Sequence, residues 1–119
     1  MSNNKTHNYF HNLKGHTIKE FEILEGGKGL NIITKSGLIF YIESVTIYED
    51  IFLENKLEYL DQILNEEIIK AEEVEMYCKG KDLLFFYNIE SFKSSIQIRF
   101  IGSDDAYYAS EVIVYTNII

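Results

Sequence analysis

The stretch TIKEFEILEGGKGLNIITKSG, residues 17–37, decides the fold. Its opening puts Ile18, Glu20, Glu22 and Leu24 on one parity and Thr17, Lys19, Phe21, Ile23 and Glu25 on the other. Successive strand residues point to opposite faces, so this is strand composition with an imperfect alternation. Gly26, Gly27, Lys28 and Gly29 then reverse the chain, Leu30 to Lys35 forms a second strand, and Ser36-Gly37 is a turn dipeptide. Turns this tight cannot join parallel neighbours, which need a crossover of a dozen or more residues. The stretch is an antiparallel meander.

Working outward, Leu38 to Glu49 is a long β-branched and aromatic run, read as one bent strand or two short ones. Asn55, with Glu58 three residues later, has capping-box spacing. Leu57, Leu60, Ile63 and Leu64 follow at helical intervals, with Lys56, Glu58, Asp61 and Gln62 on the other face. This predicts one principal α-helix near residues 55–66, with Leu57, Leu60 and Leu64 facing the sheet. Val74, Met76 and Cys78 then alternate against Glu73, Glu75 and Tyr77, favouring a strand. Leu83 to Ile89, Ser95 to Ile101 and Tyr107 to Tyr115 read as further strands. Residues 1–12 are polar and read as a flexible tail that Tyr9 and Phe10 can dock; residues 13–119 form a single domain. The fold class is α+β, mainly antiparallel sheet in a meander or sandwich-like arrangement.

Composition narrows the function. At 119 residues one core is expected, and it needs no disulfide or metal to stand. The net charge of −8 argues against a direct nucleic-acid binder, which needs a cationic footprint, and against an anionic membrane surface. It serves solubility, or else complements a basic partner protein. Cys78 is the only cysteine, so no intramolecular disulfide forms. The opening residues lack the apolar run of a signal peptide, and no stretch approaches the length of a membrane span. A cytoplasmic location is expected.

No motif carries catalysis. The glycine-rich segment Gly26–Gly29 is followed by a strand instead of the helix a phosphate loop requires, so it reads as a hairpin turn. His7 and His11 have the i, i+4 spacing of a helical metal pair, but no acid or cysteine completes a local set. The acids Glu72, Glu73 and Glu75, and Asp104 with Asp105, read as a solvated face and a loop. Cys78 stands far in sequence from every histidine and reads as a small buried apolar residue. No catalytic residue, metal site or cofactor is called for.

Arg99 stands apart as the only arginine. In Ser94-Ser-Ile-Gln-Ile-Arg-Phe100 it shares one face with Gln97, opposite Ile96, Ile98 and Phe100. Guanidinium is a planar fork for phosphate or carboxylate and stacks on aromatic rings. Two readings stay open. One is an ion pair across the sheet with a nearby acid. The other is an anion-binding arginine supported by Gln97 and by the aromatics Phe85, Tyr87, Tyr107 and Tyr108.

Several segments together resemble a known family. They are Leu13-x-Gly15-x-Thr17-Ile18, Thr34-x-x-Gly37 and Glu43-Ser44-Val45-x-Ile47 with Asp50-Ile51 in the first half. In the second half they are Leu60 to Leu64 with Ala71-Glu72-Glu73, Ile98-Arg99-x-x-Gly102 and Tyr107-Tyr108-x-Ser110. The chain resembles, over about residues 13–113, an uncharacterised small domain family of bacteria and their phages. In that family a polar segment with His and paired Cys often precedes the Glu-Ser-Val element. Phe40-Tyr41-Ile42 stands there instead, so no metal or thiol role carries over. The resemblance implies a phage-type anti-defence setting, in which small domains sequester a nucleotide signal or block an effector protein. The expectation is a non-enzymatic binding protein that sequesters a small anionic nucleotide-like ligand. The alternative is an acidic inhibitor or immunity protein that blocks a basic partner protein. A homo-oligomer is expected, because Tyr- and Phe-rich strands with few central lysines make poorly protected edges.

Overall fold

The computed structural model describes residues 5–7, 10–45, 51–79, 82–103 and 111–117. The chain is an α+β domain built mainly of antiparallel sheet. Among the described residues nine strands run in chain order: β1 (Lys5–His7), β2 (Ile18–Ile23), β3 (Gly29–Thr34), β4 (Ile39–Val45), β5 (Ile51–Leu53), β6 (Lys70–Lys79), β7 (Asp82–Glu90), β8 (Ser95–Ser103) and β9 (Glu111–Asn117). They form two sheets, ordered β1-β9-β4-β3-β2 and β5-β8-β7-β6. Every pairing among these strands is antiparallel.

The glycine-rich segment is a hairpin turn between β2 and β3, closed by Leu24 N donating to Gly29 O at 3.0 Å. Gly26 and Gly27 both sit at φ +71°, where side chains are strained. Gly29 is excluded from substitution by space: a Cβ would lie 2.8 Å from Leu24 Cδ1 and 2.9 Å from Ile42 O. The second turn is held by Thr34, whose amide donates to Leu38 O at 2.9 Å while Leu38 N donates to Thr34 Oγ1 at 3.1 Å.

The two sheets share one apolar core. Phe21, Leu30, Ile32, Phe40 and Ile42 enter it from the first sheet, and Phe85, Tyr87, Ile89, Ile96, Ile98 and Phe100 from the second. The segment read as a tail carries structure at its described residues. β1 pairs with β9, and Phe10, in a 3-10 turn over Phe10–Leu13, is buried against Tyr87. The run from Leu38 continues as β4 and then enters the other sheet as β5, a strand the sequence reading lacked; residues 46–50 lie outside the described residues.

The helix is shorter than its apolar stripe. α1 spans Leu57–Leu60 and tightens into a 3-10 turn over Asp61–Ile63. Leu64 is extended and Asn65 takes φ +67°, a conformation Asn tolerates better than most side chains. Leu60 and Ile63 are fully buried, Leu64 packs against the core, and Leu57 is 40% exposed. The expectation that Leu57 faces the sheet is therefore corrected. Among the described residues no helix is long and apolar enough to cross a membrane.

Candidate functional site

The register of β7 and β8 places the residues singled out from sequence. Phe86 lies opposite Arg99 and Asn88 opposite Gln97, whereas Phe85 pairs with Phe100 and Tyr87 with Ile98. Arg99 and Gln97 therefore share the outer face of the second sheet, and Phe85 and Tyr87 point into the core. Tyr87 is fully buried, its ring centroid 5.0 Å from that of Phe10 and 6.4 Å from that of Phe100. Burial, with a smaller push from the Glu73 carboxylate, drives its phenol far above the usual range. Neither ring can stack a ligand held by Arg99, which corrects that part of the expected site. Tyr107 and Tyr108 lie outside the described residues.

Arg99 stacks on Phe86, a ring the sequence reading did not select, with Cζ 5.2 Å from the ring centroid. Its Nε stands 3.2 Å from Glu54 Oε1, yet the N–H is not aimed at the carboxylate, so the pair is an ion contact without that hydrogen bond. Both side chains are 42% exposed, and such a pair contributes little. Beside it, Gln97 Nε2 donates to Asn88 Oδ1 at 3.0 Å.

Asn55 sets this geometry from the other side of β8. β5 covers only Phe100 to Gly102 in register, and Glu54 N extends the ladder by donating to Arg99 O at 2.8 Å. Asn55 then substitutes for a strand: Oδ1 accepts from Arg99 N at 2.7 Å, and Nδ2 donates to Gln97 O at 3.0 Å. Tyr59 Oη accepts from Gln97 N at 2.9 Å. The amide that looked like a helix cap is committed to the sheet, and the N-cap position falls on Lys56 with no side-chain cap bond.

Other chemistry-bearing groups are not gathered. His7 lies in β1 and His11 in a 3-10 turn, so their spacing does not put them on one helix face. His16 Nδ1 lies 3.3 Å from Ser36 Oγ, which also contacts Thr34 Oγ1 at 2.8 Å. Among the described residues no three His, Cys, Asp or Glu side chains group to hold a metal ion.

Two further surfaces stand out. On the outer face of the first sheet, Glu20 pairs in register with Ile33 and Ile33 with Ile39; Glu22 pairs with Asn31 and Asn31 with Tyr41. Glu20 and Glu22 are exposed, and Ile33, Ile39 and Tyr41 half-buried. Asn31 Nδ2 donates to Glu22 Oε1 at 2.9 Å. The second surface is a groove of about 240 Å³ between the segment after α1 and the β7–β8 turn, lined by Asn65, Glu66, Glu67, Ser91, Phe92 and Lys93.

No family model, curated protein or solved structure matches this chain.

Proposed function

We propose that this protein is a non-enzymatic binding domain whose acidic surface engages a basic partner protein, in the manner of an inhibitor or immunity protein. The observation that carries this reading is the outer face of the first sheet, where Ile33, Ile39 and Tyr41 form a half-exposed apolar strip bordered by Glu20 and Glu22. An apolar centre with a charged rim is the anatomy of a protein interface, and rim charge of one sign steers a partner of the other. The net charge of −8 extends that field beyond the face.

The test is capture from producing cells with the wild-type chain and a Glu20→Lys, Glu22→Lys, Ile33→Asp variant of matched thermal stability. A basic protein held by the wild type, released by added salt and lost by the variant is the expected result. The same protein held equally by both would remove the face from the proposal.

A second reading is favoured by Arg99. A half-exposed arginine side chain stacked on Phe86, with one weak carboxylate contact, is able to exchange that contact for the phosphate of a nucleotide-like ligand. Its outer plane, instead of Phe85 or Tyr87, would take the base. Nucleotides titrated against wild type and Arg99→Ala, with melts alongside, test it: affinity should fall at least about tenfold while the variant stays folded. Equal binding by both would sink the sequestration reading. The phage-type anti-defence setting and the cytoplasmic location belong to the same proposal and rest on sequence alone.

Homo-oligomerisation is also part of the proposal. β6, at the edge of the second sheet, carries Lys70, Glu72, Glu73, Glu75 and Lys79 and an irregularity between Val74 and Tyr77, features that oppose strand addition. An oligomer would therefore form elsewhere than along β6.

A further inference from the structure

The turn joining β7 to β8, Ser91-Phe92-Lys93-Ser94, is locked by its own hydrogen bonds. Ser91 N donates to Ser94 O at 2.8 Å, and the amides of Ser94 and Lys93 donate to Ser91 Oγ at 2.9 and 3.2 Å. Ser91 Oγ in turn donates to Glu66 Oε1, and Ser94 Oγ to Glu66 Oε2 at 3.4 Å. The segment carrying Glu66 is fixed to the first sheet, with Asn65 N donating to Ile18 O at 2.8 Å and Ile68 N to His16 O at 2.9 Å. Two loops thus hold each other apart at a set distance, and the groove between them is preformed.

Three independent properties describe what fits it. Its volume of about 240 Å³ falls below the roughly 300–1,000 Å³ of small-molecule pockets and suits one inserted side chain. Its charge is negative: Glu67 is exposed, Glu66 is tied only to neutral hydroxyls, and no described cation pairs with either. Its rim carries Phe92, 86% exposed on a rigid turn and the most exposed large apolar residue described. A ring face attracts a cation, and a planar guanidinium also stacks on it and matches a carboxylate with two parallel donors.

We infer that this groove receives an arginine side chain of a partner protein, with Phe92 stacking on the guanidinium and Glu67 accepting its hydrogen bonds. Glu66 is the positioning residue that keeps the turn in place. Lys93 is the opposing charge on the rim and is displaced on binding. The inference rests on the reading of the chain as a binder of basic proteins, but uses a surface other than the face of the first sheet.

The experiment is a two-dimensional NMR titration of the full chain with acetyl-Gly-Arg-Gly-amide, and with the same peptide carrying citrulline, which keeps the shape and loses the charge. Shifts confined to residues 65–67 and 91–94 are expected, with citrulline about tenfold weaker. Glu67→Gln should also cost about tenfold, and Phe92→Ala about threefold with an unchanged melting temperature. Lys93→Ala should tighten binding. No localised shift at about 20 mM peptide, far above a millimolar Kd, overturns the proposal. So does equal binding of citrulline, or a weaker Lys93→Ala variant, which would mean that the groove reads an anion. Peptide binding here, together with partner capture indifferent to Glu20 and Glu22, would retain the groove and discard the sheet face. The reverse pattern would retain the face alone.

Discussion

Replacing Asn55 separates its two roles, because a helix cap and a strand clamp tolerate different side chains. Asp and Ser cap helices about as well as Asn, so a capping Asn55 would accept either with little loss. The clamp needs an acceptor for Arg99 N and a donor for Gln97 O, at 2.7 and 3.0 Å. Asn55→Ala removes both bonds and leaves a part-buried backbone amide and carbonyl unmatched, which costs about 2–3 kcal/mol at 0.5–1.5 kcal/mol per bond plus desolvation. For a chain of 119 residues that lowers the melting temperature by about 8–12 °C, at roughly 4 °C per kcal/mol. Asn55→Asp keeps the acceptor but turns the donor into an anion facing the Gln97 carbonyl, so it should be at least as damaging near pH 7. Below about pH 4, where a free carboxyl protonates, it regains a donor and the gap to wild type narrows. Urea unfolding of the three proteins at pH 7 and pH 4 reads these values directly. An Asn55→Asp variant as stable as wild type at pH 7 would refute the clamp and restore the cap.

The other expectations concern core, titration and assembly. Leu60→Ala should cost about 2–5 kcal/mol because Leu60 is fully buried, whereas Leu57→Ala, at a 40% exposed position, should stay within about 0.5 kcal/mol; denaturant midpoints compare them. Tyr87 has its phenol held far above the usual value by burial, so its contribution to stability is complete below about pH 10 and is lost as pH rises beyond it, where the unfolded chain releases that proton. Ultraviolet titration should find at least one tyrosine, Tyr87, ionising only with unfolding, and its ionisation in the native protein would contradict that burial. Light scattering should return a multiple of 13.9 kDa, and a monomer mass at all concentrations would remove the oligomer.

The antiparallel architecture is legible in the chain's local sequence. Short glycine turns at Gly26–Gly29 and Ser36-Gly37 exclude parallel neighbours, and the alternation in β8 separates Gln97 and Arg99 from Ile96, Ile98 and Phe100. These are local properties, carried by residues adjacent in the chain. The partner of Arg99 was not local. Leu83-Leu84-Phe85-Phe86-Tyr87 is apolar at every position and has no parity to read, so only the pairing of β7 with β8 put Phe86 under the guanidinium and Phe85 and Tyr87 in the core. Asn55 and Glu58 have the spacing of a cap, yet Asn55 bonds residues 42 and 44 positions away because β5 stops short of Gln97 and leaves those backbone groups open. That commitment starts the helix at Leu57, and the left-handed turn at Asn65 ends the segment soon after. The groove beside Phe92 arises from two loops that meet only after both sheets have closed on one core, and no sequence spacing encodes such a meeting.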